Sequence, residues 1–329
     1  MNRETMMGVR SALLLSAFLV LMALRLPAQS SGEDAAPPET AIASLQLAPD
    51  TADQLQKAMS EHNYLTAEKL LLAEIDRDSH SARAAKLLAY AGTVYFRNQD
   101  YRNAAIAWKK SEAIAPLDPN LRFSLAMAFI RISHPDWART VLESLAAQNE
   151  NAALYPYWLG RLAYDGHKYE EAIQHLKRAV ELDPTMARAY DNLGLCYYYE
   201  NQNDLAVSSY EKAIELDRGH PSPWPYLNLA ITQQFLNRLP DAEKNLREAI
   251  RLDPGLAKAH FQLGTVLEDS GRPEEALTEL QKAAQLDSSY AEPHMAMARI
   301  LHKVGREAEA KKEVETYRQL HEQPTPKQP

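Results

Sequence analysis

Small residues recur along this chain at nearly regular intervals. They stand at Gly92, Ala128, Gly160, Gly194, Ala230, Gly264 and Ala298, with successive spacings of 36, 32, 34, 36, 34 and 34. A second series follows twelve residues after each of them: Ala104, Thr140, Ala172, Ala206, Ala242, Ala276 and Ala310. A period of about 34 residues, with small residues in fixed columns, is typical of an array of helix–turn–helix units.

The columns have a steric interpretation. Small side chains let two helices approach closely, and larger apolar residues such as Leu193, Tyr197 and Tyr210 fill the remaining space between them. The tripeptide Leu-Asp-Pro at 182–184 and 252–254 ends a helix, because proline lacks an N–H and disfavours the helical conformation of the residue before it. The sequence therefore predicts an all-α chain of paired helices.

The pattern resembles the tetratricopeptide repeat (TPR) family. The resemblance rests on residues 158–184 (WLGRLAYDGHKYEEAIQHLKRAVELDP), 189–217 and 260–287, and it covers about 85–324. It implies a right-handed superhelical solenoid of about seven repeats, in which the first helix of each repeat lines the concave surface. Thr140 departs from its column, so the unit around it is less regular than the others.

Residues 1–28 are typical of a secretory signal peptide. Arg3 and Arg10 supply a positive start, residues 11–24 are apolar, and Ala28 offers a small residue at a cleavage point. As a helix, the apolar stretch would reach about 21 Å, which is short of the ~30 Å hydrocarbon core of a bilayer. We therefore expect an exported protein, periplasmic or secreted, or one anchored to a membrane by an uncleaved N-terminus.

The rest of the chain divides by composition and periodicity. Residues 29–46 are rich in Ser, Ala, Pro and acids, which predicts a flexible linker. Residues 47–84 predict a degenerate N-terminal capping repeat, in which Leu55 replaces the small residue. The solenoid follows at 85–324, with extra residues at 117–118 and 221–222, and residues 325–329 predict a disordered tail.

Composition and motifs argue against several functions. The net charge is −8 and no basic stripe is present, which disfavours nucleic acid as a partner. The sequence lacks G-x-S-x-G, H-E-x-x-H, P-loop and G-x-G-x-x-G motifs, so we expect no catalysis, cofactor, metal or small-molecule substrate. His260 and His294 occupy equivalent columns and are either packing residues or a metal pair. Cys196 is either a small buried hydrophobe or a reactive thiol.

The resemblance implies that four columns of each first helix face inward: those six and two residues before the small residue, and those four and five residues after it. Two residues before the small residue, three consecutive units carry the amides Asn192, Asn228 and Gln262. The donor and acceptor groups of an amide suit the backbone of an extended peptide. Six residues before it, four of seven units carry a cation, and aromatic residues follow it by four or five. The four cations are Lys86, Arg122, Arg188 and Lys258. The predicted groove residues are Arg188, Asn192, Tyr198, Trp224, Asn228, Lys258 and Gln262.

Each set also has a plainer interpretation. Amides are common on solvated helix faces, and the cations could pair with acids such as Asp191 or Glu268 on neighbouring units. Tyr197 and Tyr198 point about 100° apart, so we expect Tyr197 in the core and Tyr198 in the groove.

Two functions remain open. The first is a protein–protein interaction scaffold that binds an extended, partly acidic peptide segment in the concave groove. The alternative is an envelope assembly or tethering protein that acts through its outer face. The lysine and asparagine with which some family members clamp the carboxylate of a chaperone tail are missing from the corresponding columns, so we do not expect that ligand.

Overall fold

The computed structural model describes residues 40–77, 80–217, 219 and 221–322, and this part of the chain is helical, without a strand. Its helices are α1 (Thr40–Ala43), α2 (Pro49–Ser60), α3 (Tyr64–Arg77), α4 (Ala82–Arg97), α5 (Tyr101–Ile114), α6 (Pro119–Arg131), α7 (Pro135–Gln148), α8 (Leu154–Asp165), α9 (Tyr169–Leu182), α10 (Ala187–Tyr199), α11 (Asn203–Leu216), α12 (Pro223–Phe235), α13 (Leu239–Leu252), α14 (Ala257–Asp269), α15 (Pro273–Leu286), α16 (Glu292–Lys303) and α17 (Glu307–Glu322). The predicted signal peptide, residues 29–39 of the predicted linker and the predicted tail at 325–329 lie outside the described residues. None of the described helices combines the length and the apolar character needed to cross a bilayer.

Consecutive helices pack as pairs, and the pairs stack one on the next. From α4 onward, each even-numbered helix is the first helix of a repeat and packs most extensively against the second helix that follows it. Each second helix then packs against the first helix of the next repeat. The predicted all-α solenoid is confirmed, because no helix in the described part departs from this sequential stacking.

The turn between the two helices of a pair is built in the same way each time. It contains one residue with a left-handed backbone, which reverses the chain within a few residues. These residues are His62, Gln99, Ser133, His167, Asn201, Asn237, Gly271 and Gly305.

The two helices of a repeat are in contact at the small residue of the first helix. A Cβ atom added to Gly194 would lie 2.5 Å from the ring of Tyr210, and one added to Gly160 would lie 2.6 Å from Cγ of Leu176. The contacted residue is sixteen positions downstream in both repeats. Tyr210 and Leu176 are fully buried, so the glycines are required by the space available between the helices.

The left-handed residue corrects the alignment of the second repeat. It follows the small residue by seven positions elsewhere, as His167 follows Gly160. Ser133, however, follows Ala126 by seven positions and Ala128 by only five. Ala126 therefore occupies the close-contact column, and the prediction that placed Ala128 there was wrong.

The corrected alignment also regularises the rest of this repeat. Ala138, twelve residues after Ala126, is fully buried, whereas Thr140 is exposed. Leu142, sixteen residues after Ala126, is fully buried as Leu176 and Tyr210 are. Gly92 and Ala126 are then separated by the same interval as Gly160 and Gly194, so 117–118 is not an insertion.

Ordered structure begins within the predicted linker. Helix α1 occupies part of 29–46, and Leu45 is only 2% exposed within the N-terminal core. The carbonyl of Leu45 accepts a hydrogen bond from Nε of Arg83 at 3.1 Å. Burial of one leucine side chain and this long-range bond hold residues that composition alone assigns to a spacer.

We predict that Gly194→Ala lowers the stability of the protein by roughly 1–3 kcal/mol, because the new methyl group would overlap the ring of Tyr210. Urea unfolding followed by circular dichroism measures the change. Gly219→Ala is the matched control, since nothing lies within 4 Å of a Cβ atom at that position. An unfolding midpoint for Gly194→Ala at or above that of the wild type would contradict the close-contact assignment.

We further predict that Ala138→Leu destabilises the second repeat by roughly 1–3 kcal/mol, whereas Thr140→Leu leaves the unfolding midpoint nearly unchanged. The reason is that Ala138 is fully buried and Thr140 is exposed. Thermal unfolding of the two variants side by side tests the corrected alignment. The reverse order of melting temperatures would restore the alignment on Ala128.

Candidate functional site on the inner face of the solenoid

The first helices lie on the inner side of the stack. First helices of successive repeats approach each other closely, as α8 approaches α10 and α10 approaches α12, whereas the backbones of the described second helices are farther apart and are joined by long side chains, as Arg139 on α7 joins Glu171 on α9. A stack curves toward the side on which its elements are closest. We call the side on which the first helices meet the inner face, and any side chain that bridges two first helices lies on it.

The predicted amides bridge first helices. Nδ2 of Asn228 on α12 donates to Oδ1 of Asp191 on α10 at 3.2 Å, and Nε2 of Gln262 on α14 donates to Oε1 of Gln234 on α12. Gln234 also donates to Oδ2 of Asp269 at 2.7 Å. The amides at Asn228 and Gln262 therefore join neighbouring repeats.

Asn192 is placed differently from the expectation. It is only 3% exposed, its Oδ1 accepts from Nη1 of Arg161 at 3.1 Å, and its Nδ2 donates to the carbonyl of Arg188 at 2.7 Å. Asn192 therefore does not offer a free amide to a ligand, because both ends of the group are already used. Its role is to fix Arg161 on α8 against α10.

The two central cations of the predicted groove are exposed and stacked on aromatic rings. The guanidinium of Arg188 lies 4.7 Å from the centroid of Tyr157, and Nζ of Lys258 lies 5.9 Å from that of Trp224. Both contacts join successive first helices, so both cations lie on the inner face. Neither side chain has an ion-pair partner among the described residues.

The acids suggested as partners for these cations do not form ion pairs with them. Asp191 instead accepts a hydrogen bond from the amide of Asn228. Glu268, whose side chain is 9% exposed, pairs with Arg299 at 2.5 Å and Lys303 at 2.6 Å on the next first helix.

Arg122 does not belong to the inner row of cations. With Ala126 as the small residue, Asn120 occupies the column six positions before it. Arg122 instead donates to Oγ of Ser144 at 2.9 Å and Oε1 of Gln148 at 3.0 Å on α7. The prediction of four basic residues in this column was wrong for that reason.

Aromatic side chains form the other part of the inner face. Tyr198 on α10 packs edge-on against Phe235 on α12, with centroids 6.4 Å apart and ring planes at 80°. Phe235 is 58% exposed, which is unusual for a large apolar side chain. Tyr197 is buried, as expected for its direction on the helix.

Arg161 and Gln234 are inner-face residues that were not among the predicted groove residues. Gln234 follows Ala230 by four residues and so stands in a column predicted to face inward, whereas Arg161 follows Gly160 by one and does not. The contacts of Arg161 with Asn192 and of Gln234 with Gln262 could be seen only in the stacked repeats.

The equivalent histidines are packing residues. Nδ1 of His260 lies 2.7 Å from Oε2 of Glu279, and Nδ1 of His294 lies 2.6 Å from Oε2 of Glu313. Each pair joins the two helices of one repeat, and the described residues contain no group of three potential metal ligands. Cys196 is fully buried, and burial raises the pKa of its thiol to about 12, so it behaves as a small hydrophobe.

Asp191 gives the inner face a pH dependence. Burial raises the pKa of Asp191 to about 6, against the opposing effect of the Asn228 amide. The folded protein therefore binds this proton more tightly than the unfolded chain, and stability falls as the pH rises from about 4 to about 6.

We predict that the free energy of unfolding of the wild type falls by about 2 kcal/mol between pH 4 and pH 7 because of Asp191, and that Asp191→Asn does not show this fall. Urea unfolding at the two pH values measures the difference. Asp76→Asn, at an exposed position, is the control, and equal pH profiles for wild type and Asp191→Asn would contradict the assignment.

Sequence models of the tetratricopeptide repeat match four overlapping stretches of the chain. They cover residues 160–199, 185–254, 227–291 and 267–326, which together make up half of the chain. The matched region contains the inner face from Arg161 to Lys303.

Curated relatives share parts of the chain. The type IV pilus assembly protein PilF of Pseudomonas aeruginosa is 29% identical over 150 residues, which are 45% of this chain and 58% of PilF. The human protein O-mannosyl-transferase TMTC3 is 34% identical over 112 residues, which are 32% of this chain and 12% of TMTC3. The chain thus spans less than two thirds of the length of either relative.

Solved structures share the fold. A tetratricopeptide repeat protein from Parabacteroides merdae superposes with a TM-score of 0.59 at 15% identity, covering 79% of this chain and 99% of that one. PilW, a type IV pilus biogenesis factor, superposes with a TM-score of 0.55 at 18% identity, covering 59% and 90%. Stacked helix pairs, a close contact repeated at one period and these matches agree: the chain belongs to the tetratricopeptide repeat family.

Proposed function

We propose that this protein is a protein–protein interaction scaffold that holds an extended segment of a partner against the inner face of repeats three to six. Tetratricopeptide repeats are typical of proteins that bind other proteins. The observation that carries the proposal is that Phe235, Arg188 and Lys258 remain exposed on the inner face although each contacts a ring on the neighbouring first helix. Exposed aromatic and cationic side chains are the kind that anchor protein interfaces.

Binding, rather than catalysis, is the activity that this surface supports. The amides of Asn192, Asn228 and Gln262 are all engaged in hydrogen bonds, and those of Asn228 and Gln262 join neighbouring repeats. The function we propose for this surface is therefore binding, without a reaction, cofactor or small-molecule substrate.

We place the protein outside the cytoplasm. The apolar stretch at 11–24 behind Arg3 and Arg10 supports export. The similarity to PilF, a pilus assembly protein, also supports a role in assembling structures at a cell envelope.

A second candidate acts through the outer side of the solenoid. Second helices α3, α5 and α7 expose large apolar side chains at Leu65, Leu72, Ile106 and Trp137. An exposed apolar surface of this kind marks a contact site when its members are contiguous. It would serve an assembly or tethering protein whose inner face is not the binding surface.

Phe235 and Trp137 separate the two candidates. They are 58% and 54% exposed, so replacing either with alanine removes a similar exposed ring. We predict that Phe235→Ala weakens partner binding about five- to thirtyfold, as loss of a contact worth about 1–2 kcal/mol would, while Trp137→Ala leaves it unchanged.

The partner is identified by placing a photo-crosslinking phenylalanine analogue at 235 or at 137 in cells that make the protein. The affinity of the identified partner for the purified wild type, Phe235→Ala and Trp137→Ala proteins is then measured by surface plasmon resonance. If crosslinked partner is found only from position 137, and Phe235→Ala binds the partner as tightly as the wild type does, the inner face is excluded and the outer one is favoured.

A further inference from the structure

Two cations on the inner face have no ion-pair partner in the described part of the fold. On the second helices, cations are commonly paired one turn away on the same helix, as Lys212 is with Glu215 at 2.9 Å and Arg251 is with Glu248 at 2.7 Å. Arg188 and Lys258 have aromatic partners but no carboxylate partner among the described residues. In a chain of net charge −8, two exposed and unneutralised cations on one surface attract an anionic group.

The two cations and an aromatic ring occupy one column of the inner face. Arg188, Trp224 and Lys258 all stand six residues before the small residue of their repeat, on α10, α12 and α14. Trp224 is partly exposed and lies between the two cations in this series. The order along the solenoid is therefore cation, aromatic ring, cation.

The same column limits the series at both ends. The repeat before carries Leu154, which is apolar, and the repeat after carries Glu292, which is acidic. An acidic ligand that continued past Lys258 would meet like charge at Glu292. Within this column, Leu154 and Glu292 therefore bound the pair of cations in repeats four to six, and Lys86 in the first repeat stands apart from them.

The distance between the two cations determines how far apart two acidic side chains of a bound segment must be. First helices in contact have axes about 8–10 Å apart, so α10 and α14 lie roughly 16–20 Å apart. An extended chain advances about 3.3 Å per residue, so this separation corresponds to about five or six residues.

We propose that the segment held by the inner face carries two acidic side chains about six residues apart. The acids pair with Arg188 and Lys258. This inference rests on the proposed scaffold function and adds to it the chemistry and spacing of the bound segment.

Synthetic peptides test the spacing. Two fluorescein-labelled peptides of equal length, composition and charge carry two glutamates, at positions i and i+6 in one peptide and at i and i+2 in the other. Fluorescence anisotropy with the purified full chain gives their affinities. We expect the six-residue spacing to bind about two- to fivefold more tightly, the gain that one additional exposed ion pair provides.

Charge-removing variants assign the effect to the two cations. Arg188→Gln and Lys258→Gln should each reduce the affinity for the six-residue spacing about two- to fivefold and abolish its advantage. Lys244→Gln is the matched control, because Lys244 is exposed on the second helix α13 and has no ion-pair partner among the described residues. It should leave both affinities unchanged.

The outcomes distinguish this inference from the scaffold proposal. Equal binding of the two peptides, unaffected by Arg188→Gln but lost in Phe235→Ala, would overturn the spacing and leave the inner face as the binding surface. Absence of binding by both peptides would also overturn the inference, and crosslinking from position 235 would then decide the scaffold function separately. Equal losses from Lys244→Gln and Lys258→Gln would reduce the effect to general electrostatic attraction and overturn it as well.

Discussion

The structure depends on a close contact between the two helices of a repeat at a small residue of the first helix. In four repeats this residue is a glycine whose backbone approaches a large side chain of the second helix at a position where almost no side chain fits, as Gly194 approaches Tyr210. This contact brings the helices of a repeat together and aligns them for the next repeat. Because each repeat buries its apolar face only against its neighbours, stability is shared along the stack rather than concentrated in one core.

The same stacking gives the two sides of the solenoid different roles. First helices approach one another closely enough for side chains to bridge them, and these bridges consume most of the polar groups of the inner face. Second helices are farther apart, and their charges are commonly balanced within a single helix. Exposed ion pairs of that kind contribute only about 0–1 kcal/mol each, so they keep the outer side soluble more than they hold it together.

The proposed function rests on the side chains that remain exposed after the contacts of the inner face have formed. Asn192 and Glu268 are enclosed by their partners, whereas Arg188, Lys258 and Phe235 remain exposed. Stacking on Tyr157 and Trp224 orders the two cations without neutralising them. A rigid surface with ordered, unpaired charge loses little freedom when a ligand binds, which favours recognition of an extended segment.

The period of the small residues was enough to predict paired helices and their stacking, because close helix contact restricts side-chain size directly. The side on which the first helices lie was predicted from the resemblance to the tetratricopeptide repeat family and not from the period. The sequence did not distinguish Ala126 from Ala128, because both are alanine and both are buried; the left-handed turn at Ser133 decided between them. Nor did it show that Asn192 is enclosed while Arg188 is free, or that Leu45 belongs to the core. These outcomes depend on contacts between residues far apart in the sequence, such as Arg161 with Asn192 and Leu45 with Arg83, which exist only when successive repeats are stacked.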